Sequence, residues 1–131
     1  MLSTDETHNH SATRNSSLLQ GTDLIFKRSL DGGRSWSTLT VLFSNSSATE
    51  ANVVGNAAPV QDRVTGRIWL PFCRNNEQVF VTYSDDDGLT WAAPTHHPLL
   101  TNPLWKWVGL GPPAGLQLGN QKCMSLRVIC R

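Results

Sequence analysis

This chain lacks strong charge of either sign. Its 131 residues carry 11 Lys and Arg against 10 Asp and Glu, which leaves a formal net charge of +1, and only 16% of the residues are charged. A chain of this kind has no strong field to draw it to nucleic acid or to an anionic membrane. No apolar run reaches membrane-spanning length. The sequence therefore predicts no nucleic-acid partner and no membrane span.

Cysteine is scarce and odd in number. The three thiols belong to Cys73, Cys123 and Cys130, and no two of them have the close spacing of a metal-binding pair. We expect free thiols, with Cys73 buried because it ends an apolar run. His8 and His10 lie two residues apart with no further ligands beside them, so no metal site is predicted. The first residues show no basic region followed by an apolar core, so no signal peptide is predicted, and the compartment stays open.

Helical periodicity is also missing. No stretch of ten or more residues repeats its apolar side chains at helical spacing. Short β-branched or alternating runs stand between turn residues instead, which predicts an all-β fold. Residues 1–21 are polar and aperiodic and are predicted to form a loop or arm. Pro71 interrupts one of the runs and predicts a bulge or an edge position there. The predicted strands are residues 22–28, 37–43, 52–60, 67–73, 78–83, 92–100 and 107–118.

One eight-residue pattern occurs twice. The sequence S-L-D-G-G-R-S-W at residues 29–36 returns as S-D-D-D-G-L-T-W at residues 84–91. Both copies have the form S-x-D-x-G-x-[ST]-W and follow a predicted strand. The Asp accepts backbone N–H groups of its own turn, the Gly supplies positive φ, and the Trp ring is expected to cover the hairpin. The repeated positions are Ser29, Asp31, Gly33 and Trp36, then Ser84, Asp86, Gly88 and Trp91.

This repeat resembles the Asp-box, the recurring hairpin of sialidases and related β-propellers. Further stretches match the same family in order: residues 23–29, 55–60 with 65–70, and the W-x-W and G-L-Q-L segments at 105–107 and 115–118. Together they resemble the exo-α-sialidases (neuraminidases) of the six-bladed propeller type. That family carries its boxes on the rim, so the resemblance gives Asp31 and Asp86 a structural role. The alternative is a pair of solvated turn carboxylates in an unrelated β protein.

The resemblance implies a domain organisation. It predicts a six-bladed β-propeller of the sialidase type, of which this chain covers under two blades plus one inner strand. Residues 1–21 are then a polar N-terminal loop or arm, residues 22–118 a partial propeller, and residues 119–131 a divergent tail without a match. The chain is accordingly expected to be a fragment.

The resemblance also implies a chemistry. Sialidases remove terminal sialic acids from glycoconjugates such as glycoproteins, gangliosides and oligosaccharides, and they need no metal or organic cofactor. They use three Arg on the substrate carboxylate, a Tyr nucleophile with its Glu, and an Asp acid/base. By the resemblance, the Arg, Tyr and Glu positions are expected outside this sequence. Tyr83, the only Tyr, precedes the second repeat and does not match the nucleophile. The isolated chain is therefore expected to be inactive. The alternatives are a non-catalytic Asp-box module that binds glycan or peptide, and a purely structural remnant.

Few positions of the predicted site fall within the chain. Asp5 precedes the first repeat and by resemblance is the candidate acid/base residue, or else a solvated loop Asp. Asn56 stands where the family makes a polar contact to the sugar, or else it caps a turn after Gly55. Trp105 and Trp107 either wall a sugar pocket by stacking or pack within the fold.

Overall fold

A computed structural model describes residues 2–8, 21–44, 52–110, 114–118, 123–125 and 129–130. For residues 2–8, 118, 123–125 and 129–130 it describes the backbone. The described residues form strands, with one short 3-10 turn at Pro98–Leu100 and no α-helix. The strands are β1 (Leu2–His8), β2 (Thr22–Arg28), β3 (Thr40–Phe43), β4 (Val54–Gly55), β5 (Val60–Gln61), β6 (Ile68–Arg74), β7 (Gln78–Ser84), β8 (Thr95–His96), β9 (Val108–Gly109), β10 (Leu116–Leu118), β11 (Cys123–Ser125) and β12 (Ile129–Cys130).

The chain divides into two compact units, Met1–Gly55 and Asn56–Arg131. In the first unit β1, β2 and β3 form an antiparallel sheet in that order. The prediction of a loop is wrong for β1, because Leu2 to His8 pairs with β2 along its whole length. A polar stretch can do so since strand pairing uses main-chain hydrogen bonds, and its Thr residues favour extended backbone.

Buried apolar side chains of β2 and β4 form the core of the first unit. Leu24, Ile25, Phe26 and Val54 are all buried. Thr22 connects these two strands, because its Oγ1 accepts the N–H of Val54 at 2.6 Å and lies 3.0 Å from the Val54 carbonyl oxygen, to which it donates. The buried hydroxyl is thus fully used, which removes the cost of placing it in the core.

In the second unit β6 lies between β5 and β7, and β8 follows at the far side of β7, all antiparallel. No bulge is present at Pro71 on the side of β7, because β6 pairs with β7 without a shift of register. The Pro71 carbonyl accepts the N–H of Ala58, so the missing donor of Pro71 faces the same stretch. Because residues 56–59 are not in a regular strand, the N–H that Pro71 lacks would not have formed a strand-to-strand hydrogen bond.

A cluster of apolar side chains holds the second unit together. It comprises Ala58, Cys73, Val79, Val108 and Leu110, all buried. The Cys73 side chain is buried, as predicted. The cluster draws on three stretches far apart in sequence, so β9 is fixed to the β6–β7 hairpin by apolar packing.

Several strands are shorter than predicted. In the predicted strand 37–43 only β3 is regular strand, and in 92–100 only β8 is. The predicted strand 52–60 contains only β4 and the start of β5, and the predicted strand 107–118 contains β9 and β10. Pro59, Pro94 and Pro98 lack the N–H that a continuous ladder needs. Within the predicted divergent tail, β11 pairs with β10 and β12 with β9. No helix among the described residues is long and apolar enough to cross a membrane.

Candidate functional site

The two repeats, residues 29–36 and 84–91, fold into turns with the same hydrogen bonds. In the first, the Ser29 hydroxyl lies 2.8 Å from Asp31 Oδ1 and accepts the N–H of Gly33 at 2.7 Å. In the second, the Ser84 hydroxyl lies 2.8 Å from Asp86 Oδ1 and accepts the N–H of Gly88 at 2.8 Å. The repeated Ser is therefore the buried centre of each turn.

The repeated Asp closes the other half of each turn. Asp31 accepts the N–H of Ser35 at 2.9 Å and its hydroxyl at 2.6 Å, and Asp86 accepts the same two groups of Thr90 at 2.8 and 2.6 Å. Both carboxylates are thus fully engaged in their own turns. Their geometry is that of structural residues and leaves their oxygens committed within the hairpin.

The Trp residues of the two repeats differ. The Trp36 side chain is 39% exposed, whereas Trp91 is half-buried. Most of the Trp36 surface is still covered, and the expectation that the ring covers the hairpin stays a prediction. The turn holds its shape through the Ser and Asp hydrogen bonds described above, which do not require a buried ring.

These hydrogen bonds shift the acidity of the turn carboxyls. The hydroxyl and N–H of Thr90, together with the Ser84 hydroxyl, lower the pKa of Asp86 to about 2. The equivalent donors, Ser35 foremost, hold the pKa of Asp31 well below its usual range. Each donor stabilises the ionised carboxylate relative to the protonated acid.

The lowered pKa values predict that the fold loses stability at acid pH. A carboxyl whose pKa falls on folding contributes fully above its unfolded pKa, near 4, and loses that contribution as the pH falls through about 2. We expect the melting temperature to fall by several degrees between pH 4 and pH 2, and Asp86→Asn to flatten this dependence. Thermal melts followed by circular dichroism test this, with Glu77→Gln as the control. An unchanged slope in Asp86→Asn would contradict the assignment.

An ion pair stands beside the second repeat. Arg67 Nε lies 2.6 Å from Asp85 Oδ1, and its guanidinium carbon lies 4.1 Å from the centre of the Tyr83 ring. The hydrogen bond to Asp85 raises the pKa of Arg67. Because the pair is partly exposed, it adds little stability but keeps these two charges engaged with each other.

The opposite end of the β6–β7 hairpin carries a second polar cluster. Asn75 and Asn76 both have left-handed backbone, with φ of 54° and 53°. They form a tight turn in which the N–H of Glu77 is bonded to the carbonyl of Arg74. Asn tolerates this backbone better than most residues. The strands between this turn and the second repeat are seven residues long, so the two ends lie about 20 Å apart.

Asn56, a predicted substrate-binding residue, belongs to this cluster. Its Nδ2 donates to Asn76 Oδ1 at 2.7 Å, and both side chains are half-buried. Asn56 also has left-handed backbone, with φ of 53°, which is the geometry of the predicted turn after Gly55. The structure therefore gives Asn56 a turn conformation and at the same time fixes its amide at this end of the sheet.

Trp107, the other predicted substrate-binding residue, comes directly before Val108, which is bonded to the Asn75–Asn76 turn. The N–H of Val108 donates to the carbonyl oxygen of Asn76 at 2.7 Å. The half-buried Trp107 ring folds over Gly109, where an added Cβ would clash with the ring. Asn76 thus connects the Asn56 segment with the Trp107 segment. We call Asn56, Asn76 and Trp107 the amide end.

The remaining predicted residues lie elsewhere. Asp5 lies in β1, with its backbone opposite Ile25, and so is on a strand rather than a loop. Trp105 lies in the connection before β9, with its N–H bonded to the carbonyl of Asn102. Among the described residues, no group of three or more His, Cys, Asp or Glu side chains is placed to hold a metal ion.

Two important contacts were not predicted from the sequence. Asn76 lies between two predicted strands and was not singled out, although two successive Asn are a signal for left-handed backbone. Gln117 of the G-L-Q-L segment accepts the N–H of Arg63 at 3.0 Å and lies 3.3 Å from Asp62 Oδ1, so it holds the β5–β6 turn. No local pattern indicates that long-range contact.

Comparison with known proteins identifies the fold. The chain is similar to the solved structure of the Hadza microbial sialidase Hz136, with a TM-score of 0.69 and 24% sequence identity. The match covers 87% of this chain and 27% of that chain. The sequence matches no protein-family profile and no curated protein. The predicted all-β, sialidase-like fold is therefore confirmed, while the number of blades stays a prediction.

Proposed function

We propose that this chain is part of a sialidase-like glycoside hydrolase and that its amide end contacts terminal sialic acid. The observation that carries the proposal is the convergence of Asn56 and the Trp107 segment on Asn76. A half-buried amide offers hydrogen bonds to sugar hydroxyl and acylamino groups, and an indole face suits the apolar face of a sugar ring. The likeness of the fold to a sialidase supports this assignment.

The place of the amide end also supports the proposal. It lies at the end of the β6–β7 hairpin opposite the second repeat, whose carboxylate is engaged within its own turn. Arg74 ends β6 beside it and brings positive charge, which suits an anionic sugar. In the proposed whole enzyme, a six-bladed propeller, this chain supplies under two blades and their end of the sugar site.

The hydrolytic step of the proposal depends on groups beyond this chain. The chain spans 27% of the length of the sialidase that it resembles. Asp5 is the proposed acid/base residue, and no metal or organic cofactor is proposed. The proposed substrates are sialylated glycoconjugates, and release of the sugar is proposed for the whole enzyme only.

Replacing Asn56 tests the proposal. We expect Asn56→Ala to weaken the binding of N-acetylneuraminic acid by about 2- to 10-fold, because one neutral hydrogen bond contributes roughly 0.5–1.5 kcal/mol. Calorimetric or NMR titration of the full chain measures this change. Gln61→Ala is the matched control, since it removes an exposed amide at the other end of the same sheet. Equal affinity of Asn56→Ala and the parent chain would contradict the proposal.

A second function, a non-catalytic module that binds glycan or peptide at the repeats, has one observation in its favour. Leu30 and Leu89 in the two turns are 81% and 64% exposed, and Trp36 is also exposed. The two Leu stand at different positions of the repeat, but each turn presents an exposed apolar side chain, which suits a binding surface. Ligand-induced NMR shifts confined to residues 29–36 and 84–91 would favour this function over the first.

A further inference from the structure

We infer that Asn76 is a positioning residue that sets the orientation of the Asn56 amide for the ligand. The inference rests on the proposed function, because it assigns a role within the same site. It concerns a residue that does not itself need to touch the sugar. Asn76 would act through Asn56, by binding the Nδ2 group of the Asn56 amide before any ligand arrives.

The hydrogen bond between the two side chains provides the first argument. In the structure Asn76 Oδ1 accepts from Asn56 Nδ2 at 2.7 Å, so the Nδ2 group of Asn56 faces Asn76. The oxygen and nitrogen of an amide are nearly equal in shape, and a rotation of 180° would exchange donor and acceptor. With Nδ2 turned to Asn76, the Asn56 carbonyl oxygen lies on the other side of its amide group.

The backbone at both residues provides the second argument. Asn56 and Asn76 have the same left-handed φ of 53°, a conformation that side chains other than those of Asn, Asp and Gly adopt at a cost. The carbonyl of Asn76 is held by the N–H of Val108 at 2.7 Å. The main chain at both residues is thus held in a defined conformation, from which the two side chains meet, and an amide fixed in advance loses less entropy when a ligand binds.

The test compares two neighbouring turn residues. Asn76→Gly keeps the left-handed backbone but removes the acceptor, and Asn75→Gly makes the same side-chain change at the adjacent position with a φ of 54°. We expect Asn76→Gly to weaken the binding of N-acetylneuraminic acid to the full chain by about 2- to 10-fold, and Asn75→Gly to leave it unchanged. We also expect Asn76→Gly to move the NMR signals of the Asn56 side-chain amide.

A double-mutant cycle separates positioning from a merely structural role. If Asn76 acts through Asn56, the Asn76→Gly change has no further effect on affinity when Asn56 is already Ala. Additive losses in the double variant, or equal losses from Asn75→Gly and Asn76→Gly, would overturn the inference. Binding that Asn76→Gly leaves unchanged would overturn it alone and spare the proposed function. No binding by the parent chain would overturn both.

Discussion

Phe72→Ala is expected to lower the free energy of unfolding by about 3–5 kcal/mol, the usual cost of emptying a buried Phe site. The Phe72 side chain is 0% exposed, and its ring stacks on Phe80 of the neighbouring strand with 5.8 Å between ring centres. Since the surrounding strands are paired with each other, the cavity cannot close by local collapse. Urea unfolding followed by tryptophan fluorescence measures the loss.

The control for Phe72→Ala is Leu99→Ala. The Leu99 side chain is 97% exposed, so its removal is expected to change the free energy of unfolding by less than about 0.5 kcal/mol. A loss below about 1 kcal/mol for Phe72→Ala would show that β6 does not pack against its neighbours as described.

Ser84→Ala is expected to lower the free energy of unfolding by about 1–3 kcal/mol, because it leaves the N–H of Gly88 without its acceptor in a buried turn. The Ser84 hydroxyl is buried and binds both Asp86 and the N–H of Gly88. Ser29 makes the same two contacts in the first repeat and is buried as well. Ser29→Ala is therefore expected to cost a similar amount, which chemical denaturation of each variant measures.

A matched control for the Ser variants lies one residue beyond the first repeat. Ser37 is exposed, and its hydroxyl accepts the N–H of Arg28 outside the repeated pattern. Ser37→Ala is expected to lower the free energy of unfolding by less than Ser84→Ala or Ser29→Ala does. If Ser84→Ala and Ser29→Ala differ by much more than their errors, the two repeats are not equivalent structural units.

Local sequence determined the features that were predicted correctly. β2, β6 and β7 follow from β-branched and aromatic runs, and the two repeat turns follow from Asp and Gly at fixed positions. These features depend on neighbours within a few residues. The burial of Cys73 also followed from its own apolar run.

Features that depend on distant partners were not predicted. β1 is a polar stretch that becomes a strand by pairing with β2, and Pro71 is accommodated because Ala58 lies in an irregular stretch opposite it. The contact of Asn76 with Asn56 joins residues 20 apart, and that of Gln117 with Arg63 joins residues 54 apart. No periodicity or turn rule contains such pairings, so only two of the three residues of the amide end, Asn56 and Trp107, could be named from the sequence.

The central claim is that the amide end, and not the repeat turns, meets the sugar. The most direct test is a titration of the isotope-labelled full chain with N-acetylneuraminic acid, followed by the backbone amide NMR signals of both ends of the β6–β7 hairpin. We predict saturable shifts at Asn56, Asn76 and Val108 and none at residues 84–91, which lie about 20 Å away. Shifts confined to residues 84–91, or no saturable shift at all, would contradict the account.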